Sequence, residues 1–185
     1  MIVAGADGCR TGWVVCLRDG DGALDMRVVT ILAEVCQGLA ILAVYMPIGL
    51  DDIPWPAGAC ERDARALLLG KTSSVFPTPC RPALDCSTHA EANDLSKTLG
   101  VGLPRQTFHL FPKMREVDAL FRGSETLRSI VYEAHPELAF ARMNDGRPLL
   151  SRKRRPEGFG DGLRALVVAI GVVLLLGDEG SDGSA

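Results

Sequence analysis

The chain has 185 residues, about the size of one domain, and its 47% apolar and 23% charged content excludes wholesale disorder. Its 20 basic side chains against 23 acidic ones leave a net charge of −3, which excludes a globally basic nucleic-acid coat but not a local basic groove. Aromatic residues at 5% exclude a broad base-stacking platform.

The first third predicts strands. Ile2 to Ala6 is a short apolar run ending at Asp7-Gly8, Trp13 to Leu17 is a second, and Leu24 to Ile31 alternates apolar with polar residues. Between the last two, Arg18-Asp19-Gly20-Asp21-Gly22 carries Asp-Gly steps that favour a tight hairpin, so an antiparallel three-strand meander is expected. A short helix over Leu32 to Leu39 follows, ending near Gly38. Ile41 to Met46 is an unbroken apolar run halted by Pro47, which suits a strand buried on both faces.

The middle predicts helices. Pro56 to Leu69 has Cys60, Ala64, Leu67 and Leu68 on one face and Gly70 at its end. Thr88-His89-Ala90-Glu91 is a capping box opening a helix that Gly100 closes. Pro112 opens a third helix, with Met114, Val117, Leu120 and Phe121 as its stripe and Gly123 as its stop. Between these lies the Ser-, Thr- and Pro-rich loop Gly70 to Ala83. Ile130 to Glu133 is another short strand, and Pro136 starts a helix ending near Asn144-Asp145-Gly146. Ala165 to Leu176 is too short to span a bilayer and is expected as a buried helix, before a polar tail over 177–185. The layout implies one α/β domain over 1–176, a mixed sheet with helices packed on it.

No basic n-region followed by an apolar run and a cleavage site opens the chain, so a cytoplasmic location away from any membrane is expected. The six cysteines form no Cys-x-x-Cys pair and are expected as reduced thiols, mostly buried.

Two acids stand at strand ends, Asp7 and Glu133. If those strands are parallel neighbours, both carboxylates emerge at the carboxyl edge of the sheet, where ligand sites of open α/β sheets lie. Carboxylates converging there would hold Mg²⁺ or Mn²⁺, which activate water in phosphodiester hydrolysis. The plainer alternative makes Asp7 a turn cap and Glu133 an arginine partner. His135 and Glu137 flank Pro136 at a strand-to-helix corner, either as proton shuttle and metal auxiliary or as a hydrogen-bonded His beside a helix-start acid. In Ser73 to Arg81, the hydroxyls of Ser73 and Ser74 and the Arg81 guanidinium suit a phosphate, or the segment is a stiff surface connection. Arg152 to Arg155 either tracks a phosphate backbone or is a solvated charge run.

Five segments in this order, GADGCRTGW (Gly5 to Trp13), MPIGL (Met46 to Leu50), SSVFPTPCR (Ser73 to Arg81), RQTFHLFPKMREVD (Arg105 to Asp118) and YEAHPELAF (Tyr132 to Phe140), resemble the family known as domain of unknown function 429. The resemblance extends to about Arg164. Its members are described as predicted nucleases with a ribonuclease H-like fold. The resemblance implies a meander first, Asp7 on the central strand, Glu133 on a later parallel strand, and His135 and Glu137 in a His-Pro-Glu motif. Asp7 and Glu133 are then the implied metal ligands. Arg10 and Lys113 lie within two of the motifs and join Ser73, Ser74 and Arg81 as expected substrate-binding residues.

The chain departs from the family pattern in two places. Family sequences usually carry an Asp immediately before the residue matching Met46, where this chain has Tyr45, a poor Mg²⁺ ligand because its phenol is neutral near pH 7. Asp51 or Asp52 is the candidate substitute. Family chains also end in a helix with an acidic pair, whereas here Asp178-Glu179 lies in the polar tail. The expectation is therefore a metal-dependent nuclease weakened by Tyr45, or a non-catalytic nucleic-acid-binding or scaffold protein that keeps the fold.

Overall fold

A computed structural model describes residues 1–52, 59–98 and 100–148. The basic run Arg152 to Arg155, the helix expected over Ala165 to Leu176 and the tail 177–185 lie outside the described residues.

The chain is α/β, and its described residues build a five-stranded mixed sheet of order β3-β2-β1-β4-β5. Strands β1 (Val3–Cys9), β2 (Gly12–Arg18) and β3 (Leu24–Val29) form the expected antiparallel meander. Strand β4 (Ile41–Val44) runs parallel to β1, and β5 (Val131–Glu133) runs parallel to β4. This is the arrangement expected of a ribonuclease H-like sheet.

Local chemistry explains the meander. At its second turn, Asp19 accepts from the N–H groups of Asp21 (3.0 Å) and Ala23 (2.8 Å), and Gly22 takes a positive φ of 87°. All four residues of β4 are buried, as its unbroken apolar run requires.

Around the sheet stand α1 (Ala59–Leu67), α2 (His89–Thr98), α3 (Arg105–His109), α4 (Phe111–Gly123), α5 (Glu125–Ile130) and α6 (Pro136–Met143). The capping box is present: Glu91 N–H donates to Thr88 Oγ1 at 3.2 Å, and Glu91 Oε2 accepts from Thr88 N–H at 3.2 Å. Helix α4 sends Phe111, Met114 and Val117 into the core beside Trp13, Val15, Leu42 and Val44 of the sheet. Each such side chain contributes on the order of 1.5–3 kcal/mol when fully buried. Val14 and Cys16 form a smaller cluster on the opposite sheet face.

Four local expectations are corrected. Strand β1 runs through Cys9, so Asp7 lies inside it, because β2 keeps pairing with it at Asp7↔Val14, Gly8↔Trp13 and Cys9↔Gly12. The helix expected over Leu32 to Leu39 is one 3-10 turn at Leu32–Val35, capped by Glu34 Oε1 accepting from the N–H of Thr30 and Ile31. Ile130 ends α5, an unexpected helix whose N-cap is Ser124, with its side chain accepting from Leu127 N–H at 3.2 Å. The thiols are all free but only Cys16 and Cys80 are buried, while Cys60 is exposed. Burial pushes the Cys16 and Cys36 thiols upward, with Asp25 and Glu116 adding to the respective shifts, so both stay protonated near neutral pH.

Candidate functional site

The carboxyl edge of the parallel strands carries Asp7, Tyr45 and Glu133, with His135 and Glu137 just beyond. Their faces follow from register. Ala6 pairs with Val44, and Val44 pairs with Glu133, so these three share one face of the sheet, the face of the main core. Asp7 is the next residue after Ala6, and pleating turns it to the opposite face, where its cross-strand partner is Val14. Tyr45 continues the ladder, donating its N–H to Ala6 O at 2.9 Å, so it occupies the line of β4 next to Asp7. Asp7 is buried, at 5% exposure.

Glu133 accepts from Ile48 N–H at 3.2 Å, where the chain turns over after Pro47. Its residue is exposed at the sheet edge, with the carboxyl partly withdrawn from water. Partial desolvation pushes its carboxyl above the ordinary value, the Ile48 N–H opposes this, and the negative charge of Glu61 on α1 adds to it. A carboxyl raised in the folded state stabilises that state most below its unfolded value, and the contribution is lost as pH rises through the folded value. Glu133→Gln is therefore expected to match or exceed the parent's melting temperature at pH 7, with the gap closing as pH falls to about 4. Thermal melts across that range check this; a parent that gains on the variant as pH rises would contradict it.

His135 is the N-cap of α6. Its Nδ1 accepts from Glu137 N–H at 3.2 Å and its Nε2 lies 3.2 Å from Ser74 O, a network that assigns the Nε2–H tautomer. The ring also meets Tyr45 edge-on, with centroids 5.0 Å apart. Glu137 pairs with Lys71 at 3.0 Å, both side chains largely withdrawn from water. The structure thus brings Tyr45, His135, Glu137, Lys71 and Ser74 together and leaves Glu133 with Ile48 and Glu61.

The expected substrate contacts are dispersed. Arg10 is exposed in the β1–β2 turn, and Ser73 is exposed in a 3-10 turn. Ser74 Oγ donates to Lys71 O at 2.8 Å. Arg81 bonds Asp118 and Asp52, which raises its pKa further, so Asp52 serves Arg81. Lys113 Nζ sits 4.7 Å from the Trp13 ring centroid and 3.9 Å from Glu116 Oε2.

Among the described residues, no group of three or more His, Cys, Asp or Glu side chains is placed to hold a metal ion. The same residues contain no helix long and apolar enough to cross a membrane. Sequence reasoning missed Glu61 and Lys71, because nothing in their spacing ties α1 and the turn after it to β5 and α6.

The family model described as protein of unknown function (DUF429) matches residues 5–179. The chain belongs to the DUF429 family. The match runs past Arg164, near which the resemblance was expected to end. No curated protein and no solved structure matches the chain. On the fold, the DUF429 motifs at Gly5 to Trp13 and Tyr132 to Phe140 supply most of β1, the start of β2, most of β5 and the first turn of α6. Between them, the MPIGL motif leaves β4 just after Tyr45.

Proposed function

We propose that this chain is a nucleic-acid-binding protein on a ribonuclease H-like sheet, with metal-dependent phosphodiester hydrolysis crippled at Tyr45. The observation that carries the reading is Tyr45 on the ladder beside Asp7, with Glu133 registered to the other face. A Mg²⁺ ion wants near-octahedral oxygen donors at about 2.0–2.1 Å. A neutral phenol and two acids on opposite faces do not fit that requirement. A groove of about 460 Å³ beside α4 is lined by Arg81, Arg115 and Arg122 along with Asp85 and Asp118; Arg81 is held by Asp118 and Asp52 and Arg115 by Leu84 O, so binding is supported chiefly by Arg122, whose side chain is largely exposed. Guanidinium groups match phosphate oxygens in a planar fork.

The test has two readings on one protein. Single-stranded, duplex and hybrid oligonucleotides are offered with Mg²⁺ or Mn²⁺, and binding and cleavage are followed separately. The expected result is binding that weakens with salt and with Arg122→Glu, without appreciable cleavage. Tyr45→Asp is expected to raise Mn²⁺ affinity. Absence of binding to every oligonucleotide overturns the proposal. Cleavage by the parent that Asp7→Asn abolishes replaces it with a working nuclease.

A further inference from the structure

Among the described residues, strand β3 forms one edge of the sheet, with β2 as its neighbour. An edge strand presents alternate backbone N–H and C=O groups outward, a ready template for another strand. Leu24, Met26 and Val28 share one face of β3 and are 54%, 53% and 60% exposed. Their partners on β2 are Arg18, Cys16 and Val14. Asp25 and Arg27 lie on the other face and form a half-exposed ion pair at 3.1 Å. An edge this apolar is unusual, since such edges are commonly blunted by Lys, Pro or a bulge.

The segment Leu24-Asp25-Met26-Arg27-Val28 is self-complementary when read against itself in the antiparallel direction. Centred on Met26, Asp25 of each copy faces Arg27 of the other, Leu24 faces Val28, and Met26 faces Met26. Neighbouring registers fail. A shift in one direction sets Asp25 against Asp25, and in the other Arg27 against Arg27. A half-step sets charges against apolar side chains and swaps the faces. Parallel pairing in register also opposes like charges, and it does not close under a two-fold axis. We propose that β3 pairs with β3 of a second copy of this chain, antiparallel and centred on Met26, to make a two-fold dimer with one continuous sheet. This pairing is independent of nucleic-acid binding. It rests on the charge complementarity of Asp25 and Arg27, the apolar stripe beside them and the position of β3 at the sheet edge. On pairing, the ion pair within each strand becomes an alternating square of four charges, and opposite charges across strands are favourable where like charges are not.

Sedimentation of the full-length protein from micromolar concentrations upward tests this. The parent is expected to show a monomer–dimer equilibrium. Asp25→Arg and Arg27→Asp are each expected to weaken it by about tenfold or more, because each sets like charges opposite one another at two places. An equimolar mixture of these two variants is expected to recover dimers, since each Arg of one then faces an Asp of the other. The double swap Asp25→Arg with Arg27→Asp is expected to dimerise like the parent, which separates loss of pairing from loss of folding. A parent that stays monomeric, dimers indifferent to the single swaps, or a mixture that fails to recover would each overturn the proposal.

Discussion

Trp13→Ala is expected to cost about 3–5 kcal/mol, the range for deleting a large buried aromatic side chain. Trp13 is fully buried between the sheet and α4. Its indole N–H reaches both carboxylate oxygens of Glu116, at 3.0 and 2.9 Å, and Lys113 covers the ring. The substitution leaves a cavity, and it leaves Glu116 with one fewer donor and Lys113 without its aromatic face. At about 2–4 °C per kcal/mol for a domain of this size, melting should fall by about 6–20 °C. Trp13→Phe keeps one buried ring but loses the N–H and the rest of the indole, so its cost should be smaller, about 1–3 kcal/mol. Circular-dichroism melts and urea midpoints measure both. Equal costs for the two variants would show that the indole N–H and its fused ring, which both variants lose, carry the effect, and that a phenyl ring restores none of it.

Gly12→Ala is the second large effect, and its cause is backbone geometry. Gly12 opens β2 at φ 154°, and a Cβ there would stand 1.9 Å from Val29 O and 2.9 Å from Thr30 Cα, both backbone atoms. Relief requires the end of β3 to move away from β2. Backbone strain alone costs about 1–3 kcal/mol, so with the overlap a loss of about 3 kcal/mol or more is expected, lowering melting by about 6–12 °C. Gly38 is the control: its φ is 76°, but nothing lies within 4 Å of an added Cβ. Gly38→Ala should cost only the left-handed conformation, about 1–2 kcal/mol. If the two variants melt together, the close approach at Val29 O is not what holds glycine at position 12.

The candidate site shows how unevenly a sequence announces its structure. The acid at position 7 was legible, because an apolar run led into Asp7-Gly8. Its face was not, since it depends on β1 extending through Cys9 to keep pairing with β2. His135-Pro136-Glu137 was legible as a helix start, and the structure supplies it as the N-cap and first turn of α6. The closure of that corner by Lys71 and Ser74 was not legible, because those residues come from a distant turn. Arg81 stood out in its loop, but no local pattern named Asp118 on α4 as its partner. Lys113 was expected among the substrate contacts, and its place over the Trp13 ring beside Glu116 was not legible, because Trp13 comes from a distant strand.

By itself the sequence determined the meander, the doubly buried β4, the capping box at Thr88 to Glu91 and the family, because each rests on residues a few positions apart or on short ordered motifs. Only the tertiary structure decided which acid faces which side, which arginine is already paired and which strand is left at the edge. Those outcomes depend on strand register and on contacts between distant segments. In a pleated sheet one residue of register carries a side chain from one face to the other.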